Sequence, residues 1–268
     1  MARLFANAQA LIGETPLWRG DHVLWTDPVQ QVLLRAAEGE EVRRIPVAAP
    51  LWGLAARSVT VVATLEDRVA TIAADGTIDA GLAAAMDPGC RFNDLAVDPQ
   101  GRIWIGAMHR GVLATRGSLY VADDAAPLQV ATGLGVPNGM KISADGHTLF
   151  VIDTLARTLL AYPIEGLALG EPVILSDFMN VPGKPDGMAL LADGRFLVAM
   201  WGGACIAELT PDGATVRSWP VPAPHVSSVC LDRRGTALVS TSRMRLSDAA
   251  LAAAPASGGL FALQLDRA

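Results

Sequence analysis

Residues 93–108 read NDLAVDPQGRIWIGAM, and the pattern returns as NGMKISADGHTLFVIDT at residues 138–154 and as DGMALLADGRFLVAMWG at residues 186–202. Each copy begins with a polar residue and continues as a short apolar strand. An Asp-containing turn with Gly then leads into a second apolar strand. Because Gly tolerates a positive φ in a tight turn, this arrangement is typical of a β-hairpin. The chain is therefore predicted to repeat one hairpin unit.

Three weaker copies of the unit extend the series to six. They are ETPLWRGDHVLWTDP at residues 14–28, WGLAARSVTVVATLED at 52–67 and SSVCLDRRGTALVSTSR at 227–243. Consecutive units start 38 to 48 residues apart, at residues 14, 52, 93, 138, 186 and 227. A period of about 40 to 50 residues built from short strands is the period of a β-propeller. We predict an all-β, six-bladed β-propeller with roughly four antiparallel strands per blade, forming one domain over residues 1–268.

The two ends of the chain are expected to complete this ring. RLFANAQAL at residues 3–11 and GGLFALQL at residues 258–265 are both strand-like, and we predict that they pair within one blade. The single helix-like stretch, SDAALAAAP at residues 247–255, begins with a residue that can cap a helix, Ser247.

Composition and charge exclude several classes of function. The chain has 268 residues, 51% of them hydrophobic, and a formal net charge of −6. No basic cluster is present to bind nucleic acid, and no apolar stretch approaches the roughly 20 residues that span a bilayer. Three widely spaced cysteines, Cys90, Cys205 and Cys230, indicate neither a disulfide framework nor a metal site. We expect a cytoplasmic protein without a signal peptide, a monomer or a small homo-oligomer.

The first positions of the repeats carry side chains suited to a hard cation. In a propeller, equivalent positions gather around one axis. Four of the six positions offer carboxylate or amide oxygens, Ser227 is a weaker fifth, and Trp52 is the exception; the four are Glu14, Asn93, Asn138 and Asp186. Oxygen donors without Cys or His favour Ca²⁺, Mg²⁺ or Mn²⁺ over Zn²⁺. Each residue alone is more often a turn former. Two carboxylates together near a low-dielectric channel, however, would be costly without a cation.

Several short motifs occur in order along the chain: GETPLW at Gly13, RFND at Arg91, GSLY at Gly117, PNGM at Pro137, PDGM at Pro185, WGG at Trp201 and SRMRLSDAALAAAPASGGLFAL from Ser242. In this combination the sequence resembles the senescence marker protein/gluconolactonase/regucalcin family of six-bladed propeller lactonases. The resemblance implies a metal-dependent enzyme that opens a small lactone, most typically a sugar-acid lactone, to the hydroxy acid. It also implies one divalent ion, with Ca²⁺ favoured and Mg²⁺, Mn²⁺, Zn²⁺ and Fe²⁺ as alternatives.

The resemblance assigns roles to particular residues. It implies that Glu14, Asn138 and Asp186 bind the metal, that Asp186 is also the general base, and that Arg91 and Asn93 bind the substrate. From their positions after apolar strands, His109 is expected at the pocket mouth and Trp201 in the pocket wall. One departure concerns HRGVLATR at residues 109–116, where some sugar-lactone members carry a substrate-contacting Glu and this chain offers no acid. A second is PHVSSV at residues 224–229, in place of a Thr-Ser-Cys type sequence.

Two other functions fit the same sequence. A noncatalytic propeller that binds proteins on a broad face, with a purely structural axial ion, has the same fold. Hydrolysis of aryl esters or phosphotriesters at the same metal site is a second enzymatic alternative.

Overall fold

The structure is a computed structural model that describes residues 2–265. Its first strands are β1 (Arg3–Ala6), β2 (Glu14–Arg19), β3 (His22–Asp27), β4 (Val32–Ala36), β5 (Arg43–Pro46), β6 (Gly53–Arg57), β7 (Thr60–Thr64), β8 (Arg68–Ile72), β9 (Leu82–Ala83), β10 (Cys90–Val97), β11 (Ile103–His109), β12 (Gly117–Ala122) and β13 (Leu128–Leu134).

The remaining elements follow as β14 (Pro137–Ile142), β15 (Thr148–Asp153), β16 (Thr158–Glu165), β17 (Ala168–Leu169), β18 (Val173–Asp177), β19 (Lys184–Leu190), β20 (Phe196–Trp201), β21 (Cys205–Leu209), β22 (Thr215–Pro220), β23 (His225–Leu231), β24 (Ala237–Ser242), α1 (Asp248–Ala253) and β25 (Leu260–Leu263). The prediction of an all-β protein with a short helix near residues 247–255 is confirmed. Ser247 caps α1 by accepting a hydrogen bond from the Ala250 backbone N–H at 3.2 Å.

The strands form antiparallel sheets that follow the repeats. Three sheets have four strands each, β2 to β5, β6 to β9 and β10 to β13, and a fourth comprises β14 to β18. The fifth has eight strands: one run of β19 to β22 and one of β23, β24, β25 and β1, joined where Trp201 pairs with His225. These sheets are consistent with a propeller. The predicted pairing of the chain ends is present, because Arg3 pairs with Ala262 and Leu4 with Phe261.

Asp-Gly turns separate strands within the sheets, as the repeats predict. The glycines of four such turns have positive φ, at Gly76, Gly146, Gly194 and Gly213. A side chain at these φ values is strained, so glycine is the residue that these turns favour.

The buried apolar side chains lie between neighbouring sheets. Trp25 and Leu34, for example, pack with Leu238 and Leu260, which joins the β2 to β5 sheet to the β23 to β25 strands. Similar clusters join each further sheet to the next in the chain. The first strand of each unit also contacts the first strand of the next unit, and β2 contacts both β6 and β23. The repeat positions on these strands are therefore brought close to one another.

Candidate metal and substrate site

Five of the six first strands have a bulge at the repeat position. In each of these strands, one more residue than in the partner strand separates two consecutive paired positions. The extra residue follows Glu14 in β2, Phe92 in β10, Asn138 in β14, Pro185 in β19 and Val226 in β23. A bulge bends a strand and redirects a side chain. Strand β6 pairs regularly from Gly53 to Arg57, and it is the unit that starts with Trp52. The bulges thus accompany the polar repeat positions.

The glycines that follow two of the predicted ligands have a steric role. A Cβ atom on Gly139 would lie 2.6 Å from the carbonyl oxygen of Asp186, and one on Gly187 would lie 2.2 Å from Ser228 Oγ. Gly139 also has a φ of +39°. Any side chain at these positions would push neighbouring first strands apart. The Asn-Gly and Asp-Gly pairs therefore combine a polar side chain with close packing of the strand beside it.

The three predicted metal ligands line one cavity of about 290 Å³. Arg91, Asn93 and Trp201, which were predicted to bind substrate, line it too. The other lining residues are Ile12, Thr15, Trp52, Asp94, Met108, Val112, Val136, Thr154, Leu155, Lys184, Gly187, Met244 and Arg245. The structure therefore brings together residues from five repeat units.

A chain of amide hydrogen bonds orients Asn138. The Asn93 side chain donates through Nδ2 to Asn138 Oδ1 and to the Pro137 carbonyl oxygen, the latter at 3.0 Å. Asn138 Nδ2 in turn donates to Thr154 Oγ1 at 2.9 Å. With its amide nitrogen engaged, Asn138 presents its carbonyl oxygen, which can accept from Asn93 and still offer a second lone pair. Asn93 therefore supports Asn138 as well as lining the cavity.

Arg91 is held over the residue that breaks the repeat pattern. Its guanidinium carbon lies 3.4 Å from the centre of the Trp52 ring, and its Nη1 donates to Asn93 Oδ1 at 2.8 Å. The indole Nε1 of Trp52 donates to Glu66 Oε1 at 2.9 Å, and Glu66 pairs with Arg110. A cation stacked on an indole is stabilised by the ring quadrupole. Trp52 thus replaces an oxygen donor with a platform for Arg91.

The two carboxylates of the predicted metal site are strongly perturbed. Burial, the largest cause, raises the pKa of Glu14 and of Asp186 well above the usual range, and repulsion from Asp94 raises both further. Burial also raises the pKa of Asp94, although Lys141 and backbone N–H groups counteract it. Desolvation and like charge both disfavour ionised carboxylates. A divalent cation among these residues would reverse that penalty, so the electrostatics fit a metal site.

The chemistry of the donor side chains also fits a metal site. Among residues 2–265, no group of three or more Cys, His, Asp and Glu side chains is arranged to hold a metal ion. The predicted site instead combines two carboxylates with an amide oxygen, contributed by Glu14, Asp186 and Asn138. This all-oxygen set suits a hard cation such as Ca²⁺ or Mg²⁺.

Two side chains that the sequence analysis considered for the site lie outside the cavity lining. His109 does not line the cavity. Successive side chains of β11 point to opposite faces of the sheet, and it is the neighbouring Met108 that faces the cavity. His109 Nδ1 instead accepts a hydrogen bond from the Gly111 backbone N–H at 3.0 Å. Ser227 is fully buried and donates to the Gly13 carbonyl oxygen at 2.5 Å, so it supports a strand instead of facing the cavity. Trp201 lines the cavity and also stacks on His225, with ring centres 4.4 Å apart.

Three cavity residues were missed by the sequence reasoning. Asp94 follows Asn93, and in a regular strand consecutive side chains point to opposite faces, so a bulge was needed to bring both to the cavity. Trp52 was set aside because it is not an oxygen donor. Thr15 lies beside Glu14 with a φ of +43°, and its buried hydroxyl has no hydrogen-bond partner among the residues that the structure describes. Of these three residues, Trp52 alone could have been found from the sequence. It occupies the repeat position at which the other units carry a polar residue, and such a break in a repeat indicates a different role.

The strain at Thr15 leads to a stability prediction. A β-branched residue in the left-handed region is disfavoured by about 1–2 kcal/mol, and a buried unpaired hydroxyl costs about 1–3 kcal/mol. We expect Thr15→Gly to raise the stability of the metal-free protein by about 1 kcal/mol, after the greater entropy of an unfolded glycine is subtracted. Thermal unfolding of the wild type and the variant measures this.

Thr26 provides the matched control. It pairs with Glu14 on the adjacent strand and is fully buried, and its hydroxyl also lacks a partner within residues 2–265, but it lies in the regular strand β3. Thr26→Gly should therefore destabilise the protein by about 1–3 kcal/mol. If Thr15→Gly destabilises the protein as much as Thr26→Gly does, backbone strain at Thr15 is not significant.

Within residues 2–265, the structure has no helix that is both long and apolar enough to cross a membrane.

The three cysteines are free, and Cys90 and Cys205 are buried. Burial raises the pKa of the Cys230 thiol to about 12. A thiol with that pKa is a poor nucleophile, so Cys230 is not a candidate catalytic residue.

Residues 12–243 match the family described as SMP-30/Gluconolactonase/LRE-like region. The chain belongs to this family. The match spans nearly all of the repeats and confirms the resemblance seen in the ordered motifs. All of the predicted ligands, Glu14, Asn138 and Asp186, lie inside the matched region.

Several known proteins resemble this chain to different extents. Pentonolactonase XacC from Haloferax volcanii is 35% identical over 150 residues, which are 55% of this chain and 51% of that relative. The match thus covers less than two thirds of that relative's length. A 6-deoxy-6-sulfogluconolactonase from Pseudomonas putida is 28% identical over 270 residues, 96% of this chain and 92% of the relative. A calcium-binding protein, regucalcin, from Agrobacterium tumefaciens has the same fold, with a TM-score of 0.89, 24% identity and coverage of 99% of this chain and 94% of that one.

Proposed function

We propose that this protein is a metal-dependent hydrolase that opens a small lactone to its hydroxy acid. The observation that carries the proposal is the buried acid pair, Glu14 and Asp186, which lines one cavity with Asn138. The relatives named as pentonolactonase and sulfogluconolactonase support lactone hydrolysis. They also make sugar-acid lactones the predicted substrate class.

We further propose that the eight-stranded sheet comprises two blades, so that the chain forms one six-bladed domain. The apolar clusters support this, since they link the sheets pairwise around the molecule. Pairing of β1 with β25 would then close the ring. This arrangement would put the repeat positions of β2, β14 and β19 around one axis, as the proposed metal site requires.

Glu14, Asn138 and Asp186 would hold the divalent cation. When bound, the cation acts as a Lewis acid that polarises the lactone carbonyl. Asp186 accepts the proton of the attacking water as the water oxygen bonds to the carbonyl carbon. The bond between that carbon and the ring oxygen then breaks, and the proton passes to the departing alkoxide. The product is the hydroxy acid.

Arg91 and Asn93 would position the substrate. Stacking on Trp52 restricts the Arg91 guanidinium, and its bond to Asn93 aligns it beside the predicted ligands. A preorganised guanidinium loses less entropy when it binds a substrate oxygen than a mobile one does. Cytoplasmic location and a monomeric or small homo-oligomeric state stay predictions from the sequence.

Metal removal and restoration test the proposal. The protein treated with a chelator should lose at least 100-fold in lactone hydrolysis, and adding Ca²⁺, Mg²⁺, Mn²⁺, Zn²⁺ or Fe²⁺ separately should restore it to different extents. Rates are measured by acid release on aldonolactones, simple lactones, aryl esters and a phosphotriester. Full activity after verified metal removal would contradict the metal dependence. Hydrolysis of aryl esters or phosphotriesters, but not of lactones, would favour an esterase or phosphotriesterase. Binding of an ion without turnover of any substrate would favour a noncatalytic propeller.

A further inference from the structure

Charge is divided between the inside and the rim of the cavity. None of the three acidic side chains in the lining, Glu14, Asp94 and Asp186, is exposed, whereas two cationic ones, Lys184 and Arg245, are. We call Lys184 and Arg245 the rim cations. Such a division favours a ligand that keeps its own negative charge at the rim, away from the acids.

The rim cations have no partner within the protein. Among residues 2–265, neither Lys184 nor Arg245 forms an ion pair or a side-chain hydrogen bond. Acidic residues outnumber basic ones by 27 to 21, and exposed arginines elsewhere, such as Arg3 and Arg116, pair with carboxylates. Two unpaired cations in one cavity therefore leave positive charge available to a ligand.

Arg245 has a backbone conformation that its residue type disfavours. It lies in a turn closed by a hydrogen bond from the Leu246 N–H to the Arg243 carbonyl oxygen at 3.2 Å, and its φ is +59°. The Met244 N–H donates to the Leu11 carbonyl oxygen at 3.0 Å and holds this turn in place. Glycine or asparagine is favoured at a left-handed turn position. Local strain of this kind clusters at ligand sites.

A row of paired residues connects the rim cations. Lys184, at the start of β19, pairs with Trp201. Trp201 pairs with His225, which pairs with Ser242 at the end of β24. Neighbouring strands are about 4.8 Å apart, so this row is about 14 Å long, and Arg245 lies three residues beyond its end. Because both side chains are long, one ligand group can contact both.

The lining also offers donors to the hydroxyls of a substrate. Within the described part of the chain, Arg91 forms hydrogen bonds through Nη1 alone, which leaves its Nε and Nη2 groups to donate. The Thr15 hydroxyl is unpartnered among the same residues. A polyhydroxy lactone can therefore form hydrogen bonds between the acids and the rim.

We infer that the substrate is a sugar-acid lactone with a second carboxylate at the end of its side chain, and that Lys184 and Arg245 bind this carboxylate. The inference rests on the proposed lactonase function. A guanidinium fork matches the two oxygens of a carboxylate. In a cavity of about 290 Å³, at the small end of ligand pockets, a carboxylate also fits better than a larger anion such as a phosphate. Ring opening then releases a dicarboxylate.

A matched pair of substrates tests the second carboxylate. D-Glucaro-1,4-lactone and D-glucono-1,4-lactone share one ring and differ at the last carbon, which is a carboxylate in the first and a hydroxymethyl group in the second. With the metal-loaded protein at low salt, kcat/KM should be about tenfold higher for the glucarolactone, mainly through a lower KM. Salt should reduce this preference, because the rim cations are exposed. Equal values for the two lactones would overturn the inference and leave the lactonase function intact.

Neutral variants test the rim cations individually. Lys184→Gln and Arg245→Asn should each lower the ratio of the two kcat/KM values about fivefold. Asparagine tolerates a positive φ, so Arg245→Asn preserves the turn. Arg233→Asn is the matched control, since it removes an exposed arginine beyond the opposite end of β24 and should leave the ratio at the wild-type value. An unchanged ratio in a rim variant, or an equal fall in the control, would contradict the assignment.

Product binding tests the rim without turnover. By calorimetry, the metal-loaded protein should bind glucarate about tenfold more tightly than gluconate, and the double variant Lys184→Gln/Arg245→Asn should lose this difference. If no lactone is hydrolysed with any metal, the proposed function fails. The calorimetry then decides the rim separately, because equal binding of the two acids would show that Lys184 and Arg245 do not recognise a second carboxylate.

Discussion

Asp186→Asn should lower kcat for lactone opening by about 100- to 10,000-fold at saturating metal. The substitution keeps the size of the side chain and one oxygen donor, but the amide cannot accept a proton from water. Asp186 is buried and lines the cavity with Glu14 and Asn138. Turnover is measured by acid release, and metal binding to the same sample is measured by calorimetry.

Asp193→Asn is the control for this variant. It changes the other Asp-Gly pair of the same repeat unit, which forms an exposed turn and bonds to Arg195. Its kcat should equal that of the wild type within about twofold. An Asp186→Asn protein that binds metal and retains wild-type kcat would show that Asp186 is not the base. Another group in the cavity would then have to accept the proton.

Glu14→Gln should have opposite effects on the metal-free and the metal-bound protein. Burial and repulsion from Asp186 and Asp94 raise the pKa of Glu14, so its ionised form destabilises the metal-free fold. The neutral amide removes this penalty and should raise Tm, by about 2–4 °C for each kcal/mol regained. It also removes one of the two charges that attract the cation, and metal affinity should fall at least tenfold.

The pH dependence of stability follows from the same shift in the pKa of Glu14. The raised pKa means that the folded protein binds more protons than the unfolded chain between the two pKa values. The stability of the metal-free protein should therefore fall as pH rises above the usual glutamate range of about 4.3, and Glu14→Gln should reduce that fall. Thermal unfolding at several pH values measures both effects.

Glu40→Gln, a change at an exposed position, should alter neither Tm nor metal affinity appreciably. The assignment of Glu14 fails if Glu14→Gln destabilises the metal-free protein and leaves metal affinity unchanged. That pair of results would describe a carboxylate that stabilises the fold and is remote from the ion. The opposite pair of results is a more stable metal-free protein with a lower affinity for metal. It would show that Glu14 is unfavourable to bury and that it binds the ion.

Much of the architecture follows from local sequence alone. The Asp-Gly turns and the alternating apolar strands are short-range signals, and their recurrence predicts repeated hairpins whose equivalent residues converge. Glu14, Asn93, Asn138 and Asp186 could be proposed as a group for this reason, before any contact between them was known. The family resemblance, not the repeat, then singled out Glu14, Asn138 and Asp186 as the ligands. The pairing of the chain ends was predictable as well, since both segments are strand-like and each needs a partner.

Other features depend on contacts between distant parts of the chain. Whether Asp94 joins Asn93 in the cavity depends on a bulge in β10, and a shift of one residue reverses which face a side chain occupies. Likewise, Trp52 acquires its role only because Arg91 lies over it, and His109 is excluded because its neighbour Met108 points inward. Repeat chemistry determined which residues could converge, whereas strand register and packing between units decided which of them face the cavity.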